Sequence, residues 1–123
     1  MNILICGSDL SGKTTFAEKL FYYENDKFLY YKDTDIEASR GDLSFSEVTD
    51  FVKSYCTQIN KHCIVDFKAP TDEDKSGYDM VIWIDTLEEN DVDFVEPTNA
   101  DYTLNTFEDT SLIVESIIGE ING

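Results

Sequence analysis

The chain has 123 residues, enough for one domain, and 41% of them are hydrophobic, which excludes a wholly disordered polypeptide. Twenty-six acidic residues against nine basic ones give a formal net charge of −17. Such a balance argues against a nucleic-acid binder and against a protein held on an anionic membrane, because both need positive charge.

Residues 2–6 are a continuous apolar run ending at Gly7, the pattern of a strand buried on both faces of a parallel sheet. Residues 14–23 carry Phe16, Ala17, Leu20 and Phe21 at helical spacing. A second strand is predicted over residues 28–31, ending at the acidic cluster 33–35, and residues 42–45 read as loop. Ser46 is then the expected N-cap of a helix running to residue 59. Its expected inner face holds Val48, Phe51, Val52, Tyr55, Cys56 and Ile59.

Residues 62–67 form a third strand, and residues 80–85 a fourth, the most apolar of the set. Between them, residues 68–77 hold Pro70, Gly77 and several charges, as a surface loop or short helix does. A short fifth strand is expected over 102–105. The closing helix, 109–121, would turn Leu112, Ile113, Ser116, Ile117, Glu120 and Ile121 to one side. Strands alternating with helices predict one α/β domain over residues 1–123, with a mostly parallel five-stranded sheet.

Cys6, Cys56 and Cys63 make an odd number without C-x-x-C spacing, so they read as core thiols rather than disulfides or metal ligands. His62 has no second histidine with which to hold a metal. The N-terminal run lacks a basic flank and breaks at Gly7, and no stretch is long enough to span a bilayer. A cytoplasmic location is the expectation.

The chemistry is concentrated in Gly7-Ser8-Asp9-Leu10-Ser11-Gly12-Lys13-Thr14, a complete G-x-x-x-x-G-K-[ST] pattern. Gly7 and Gly12 allow backbone angles and approaches that a Cβ would block. The loop N–H groups, from Gly7 to Thr15, and the positive end of the following helix make a nest for anions. Lys13 would reach the β- and γ-phosphates of ATP or GTP, and the Thr14 hydroxyl would bind Mg²⁺. Chance would produce the pattern in roughly a few chains per thousand of this length, given usual glycine frequencies. Here it also lies between an apolar strand and a helix, as the chemistry requires.

Aspartates end several strands: Asp33 and Asp35 after the second, Asp66 at the third, Asp85 at the fourth. Ligands of open α/β sheets bind beyond the carboxyl ends of the strands, so these carboxylates are candidates to hold Mg²⁺ or to take a proton. Asp33, Asp35 and Asp66 are the catalytic candidates beside Lys13.

These motifs resemble the adenylylsulfate kinase family, including its short phage-type members, over most of the chain. The loop with Gly12-Lys13-Thr14-Thr15 is similar to that family's start, residues 33–35 resemble its Asp-Gly-Asp, and residues 42–47 resemble its Asp-Leu-Gly-Phe-Ser-Glu. Residues 66–71 and 95–106 resemble later family segments. The resemblance implies a three-layer P-loop kinase fold that moves the γ-phosphate of ATP to a small-molecule hydroxyl. Asp33, Asp35, Phe45, Arg40 and Lys68 would then line the acceptor site, and a homodimer is compatible with it.

Two departures bear on activity. Where the family carries an acceptor-gripping arginine this chain has Ala38, leaving Arg40 as its single arginine. Residues 86–94, the place of the family's basic lid, contain no lysine or arginine. The residues therefore also admit a nucleotide-binding protein of weak or no kinase activity that acts through a protein partner. A nucleoside or nucleotide kinase on the same scaffold remains a further reading.

Overall fold

The computed structural model describes residues 1–8, 11–67, 77–87, 96–97, 100–106 and 110–122, and for residues 33, 37, 39 and 40 the backbone alone. Five strands, β1 Asn2–Cys6, β2 Phe28–Tyr31, β3 His62–Phe67, β4 Met80–Ile84 and β5 Tyr102–Leu104, form one sheet. Its order is β2-β3-β1-β4-β5 and every pairing is parallel. The helices are α1 Lys13–Tyr23, α2 Asp33–Arg40, α3 Phe45–Gln58 and α4 Thr110–Asn122, with a short 3₁₀ turn at Asn25–Lys27.

The connection from β1 to β2 and the one from β2 to β3 move in opposite directions along the sheet. With right-handed crossovers, such connections place their helices on opposite faces. Accordingly Ile3, Ile5, Ile64 and Ile82 pack with α1 and α4 through Phe16, Leu20, Val114 and Ile117. Leu4, Cys63, Val65 and Phe67 pack on the other face with Ile36 of α2 and with Phe45, Val52 and Cys56 of α3. Successive strand residues point to opposite faces, so a sheet covered on both sides needs the unbroken apolar runs of β1 and β4. The fold is a three-layer α/β sandwich, as expected, with a sheet that is parallel throughout. All three cysteines are buried within it.

The helices depart from the sequence reading in three places. Residues 33–40 form a helix where the sequence announced only an acidic cluster at 33–35, and Ile36 in it is 2% exposed. One large apolar side chain in eight residues is too weak a periodic signal to announce a helix.

The cap of α3 is Ser44, not Ser46. Glu47 stands three residues beyond Ser44, so each side chain can satisfy the other's backbone: Glu47 N–H donates to Ser44 Oγ at 3.1 Å and Ser44 N–H to Glu47 Oε1 at 3.3 Å. Replacing Ser44 with alanine is expected to cost about 1 kcal/mol, read as a lower urea midpoint at unchanged slope.

The buried seam of α3 runs through Phe45, Thr49, Val52 and Cys56, whereas Phe51 and Tyr55 are exposed. Thr49 can take a core position because its hydroxyl donates to the Phe45 carbonyl at 3.0 Å. Similarly, α4 buries Val114, Ile117 and Ile118 and exposes Leu112, Ser116 and Glu120. In both helices the hydrophobic residues outnumber the places on the sheet, and packing selects which of them is covered.

Candidate functional site

Chain geometry at the end of β1 creates a tight loop. A Cβ on Gly7 would lie 2.6 Å from Ser11 Oγ and 2.9 Å from the backbone oxygen of Ile84, so only glycine lets β1 and β4 meet the loop here. Gly12 adopts φ +96°, a left-handed angle that opens directly into α1 at Lys13. Ser11 N–H donates to the Ser8 carbonyl at 3.1 Å, and Phe16 N–H begins the helix by donating to the Gly12 carbonyl at 3.0 Å. The first N–H groups of a helix have no partner within it, and α1 directs that end at the loop.

Ser8 and Ser11 are buried and Lys13 is 8% exposed. The Ser11 hydroxyl is buried with no hydrogen-bond partner among the described residues. Thr15 faces outward, at the end of a groove of about 580 Å³ between α1 and α4 that also touches Glu18, Lys19, Tyr22 and Ser111. Asp9 and Leu10 lie outside the described residues.

The period of two along the strands decides which carboxylate meets the loop. Asp66 shares its face of β3 with Ile64, toward α1, and is fully buried. Thr14 Oγ1 donates to Asp66 Oδ2 at 3.4 Å. Tyr30, on the same face of neighbouring β2, donates its hydroxyl to the same oxygen. Burial, and then the bond to Asp66 and its charge, push the Tyr30 hydroxyl well above the usual tyrosine range, so Tyr30 is a neutral donor.

A hydroxyl and a buried carboxylate form an oxygen-only pair. That set suits Mg²⁺, which takes one or two protein oxygens and completes its shell with water and phosphate. The glycine cradle, the orphaned Ser11 hydroxyl and Lys13 suit a polyphosphate.

The other expected site residues are less gathered. Asp33 and Arg40 are the first and last residues of α2, and Asp35 lies exposed on it. Phe45 opens α3 and is 5% exposed, its ring 4.1 Å from that of Phe67. It therefore packs in the core beneath β3. Lys68 and the lid residues 88–94 lie outside the described residues.

Two residues escaped the sequence reading. Tyr30 was legible in principle, since alternation from buried Phe28 puts it on the Asp66 face. Thr86, which follows β4 and donates to the Ser11 carbonyl at 2.6 Å, carries no local signal.

No known family model matches the sequence, and no curated protein matches it either. The fold has close counterparts among solved structures. An adenylylsulfate (APS) kinase of Mycobacterium tuberculosis, CysC, in complex with AMPPNP and APS, superposes with a TM-score of 0.72 at 15% identity. That match covers 99% of this chain and 97% of that one. Shikimate kinase from Aquifex aeolicus superposes with a TM-score of 0.61 at 17% identity, over 100% of this chain and 97% of that one. A hexameric APS kinase from Thiobacillus denitrificans gives 0.66 at 13% identity, and here the chain spans 29% of the other's length. At these identities the similarity is one of fold, and that fold is the one used by P-loop small-molecule kinases.

Proposed function

We propose that this chain is an ATP-dependent phosphotransferase that moves the γ-phosphoryl group to the hydroxyl of a small molecule, in the manner of adenylylsulfate kinases. The observation that carries the reading is the meeting of Thr14 and Asp66 at a chain segment with a complete phosphate-loop motif. Loop amides and Lys13 hold the polyphosphate in a molecule whose overall charge of −17 would otherwise repel it. Thr14 and Asp66 hold Mg²⁺, which when bound offsets charge on the phosphate oxygens. Tyr30 keeps the Asp66 carboxylate aimed at Thr14 by donating to it.

At the acceptor side, Asp35 and Asp33 on α2 orient the hydroxyl or take its proton, and Arg40 and Lys68 offset the acceptor's charge. Phosphoryl transfer needs little covalent help from protein, so positioning and positive charge do most of the work.

The scarcity of cations favours a second reading, a nucleotide-binding protein with little transfer activity that acts through a protein partner. Arg40 is the single arginine, and residues 86–94 have no basic side chain.

The two readings separate in one assay: ADP release with Mg²⁺·ATP against adenylylsulfate, shikimate, sugars, nucleosides and nucleotides. Transfer predicts at least one acceptor that stimulates ADP release and emerges phosphorylated. Tight nucleotide uptake with no stimulating acceptor would leave the binding protein as the better description.

A further inference from the structure

Thr86 lies two residues beyond β4, half-buried, with its hydroxyl 2.6 Å from the carbonyl oxygen of Ser11. That carbonyl belongs to the same planar trans peptide as the Gly12 N–H, so fixing the C=O in one direction fixes the N–H in the opposite one. The peptide is otherwise easy to turn over. Gly12 has no Cβ, and its φ of +96° lies in a region that glycine enters and leaves at little steric cost.

The two flanking units have their own ties, from Ser11 N–H to Ser8 and from Phe16 N–H to the Gly12 carbonyl. The Thr86 bond acts on the unit between them. Were that unit inverted, a carbonyl dipole would replace an N–H donor in the anion nest, adding negative potential to a molecule already at −17.

We propose that Thr86 is a positioning residue for the phosphate loop: its hydroxyl holds the Ser11–Gly12 peptide with the Gly12 N–H turned away from β4 as a phosphate donor. The end of β4 thereby sets the affinity of the loop for polyphosphate. Thr86 touches no reacting atom and acts through the backbone of the loop. This rests on the reading of residues 7–14 as a polyphosphate site, although the orientation of the peptide does not.

Thr86→Val keeps the shape of the side chain and removes the hydroxyl, and Thr86→Ser keeps the hydroxyl. Two measurements are paired: the amide resonance of Gly12 in the nucleotide-free protein, and calorimetric Kd values for Mg²⁺·AMPPNP and for inorganic tripolyphosphate. Thr86→Val is expected to move the Gly12 resonance and raise both Kd values about tenfold, the scale of one lost hydrogen bond, with Thr86→Ser restoring both.

An unmoved Gly12 resonance with wild-type affinity in Thr86→Val would overturn the proposal. A rise in Kd that Thr86→Ser fails to reverse would overturn it as well, because the loss would then lie in packing. Should the wild type take up neither phosphate ligand, the polyphosphate reading falls, and the claim that Thr86 sets phosphate affinity falls with it. The Gly12 resonance would then judge the tether alone.

Discussion

Lys13→Ala is expected to lower acceptor-dependent ADP release by about 10²–10³-fold, the loss typical of removing one preorganised donor from a charge-developing site. The size follows from where the ammonium lies. Lys13 is the first residue of α1, directly after the left-handed Gly12, and only 8% exposed. A unit charge about 4 Å away is worth about 4 kcal/mol at the effective dielectric of such a site.

Few other cations can compensate, since the chain has nine basic residues against twenty-six acidic ones. Affinity for Mg²⁺·ATP should fall less than turnover does, because charge on the bridging oxygen grows as the γ-phosphoryl departs. Turnover is read by coupled ADP detection, with thermal melting to verify the fold. A folded Lys13→Ala protein with undiminished turnover would remove Lys13 from the chemistry.

Asp66→Asn is the second large effect, and its signature is a split between activity and stability. Asparagine keeps the shape and can still accept from Thr14 and Tyr30, while losing the charge that would hold a divalent cation in the proposed site. The expected loss of turnover is on the order of 10²-fold, because metal stabilisation of phosphoryl oxygens is worth several kcal/mol. Raising the Mg²⁺ concentration should recover part of it.

The nucleotide-free protein should be as stable as the wild type or more so, since a fully buried carboxylate is costly to desolvate. Tyr30 supplies an internal check. Its hydroxyl is raised by burial first and by Asp66 second and third. In Asp66→Asn the burial and an accepting oxygen remain while the negative charge is lost, so ultraviolet titration should find tyrosinate forming at lower pH. Full turnover in Asp66→Asn at limiting Mg²⁺ would exclude this carboxylate from the metal site.

The strands and the glycine loop between β1 and α1 were legible in the sequence because their causes are local. A strand covered on both faces must be apolar at every position, so β1 and β4 announce themselves as runs that end near Gly7 and Asp85. The loop needs its glycines, lysine and threonine at fixed short separations, so the motif is complete within eight consecutive residues.

The faces of α3 and α4 were not legible. Both helices carry more large apolar side chains than the sheet can cover, and the choice of Thr49 and Cys56 over Phe51 and Tyr55 was made by packing against β3 and α2. Helix α2 was hidden because, among its described side chains, only Ile36 is buried.

The sequence by itself determined an α/β sandwich and a complete G-x-x-x-x-G-K-[ST] motif, with Lys13 and Thr14 at the head of a helix. Only the tertiary structure singled out Asp66 among the aspartates at strand ends, brought Tyr30 to it, and set Thr86 against the back of the loop. The reason is the strand order β2-β3-β1-β4-β5: residues 30, 66 and 86 meet residues 11–14 through lateral neighbours in the sheet. Separation along the chain carries no record of which strands become neighbours.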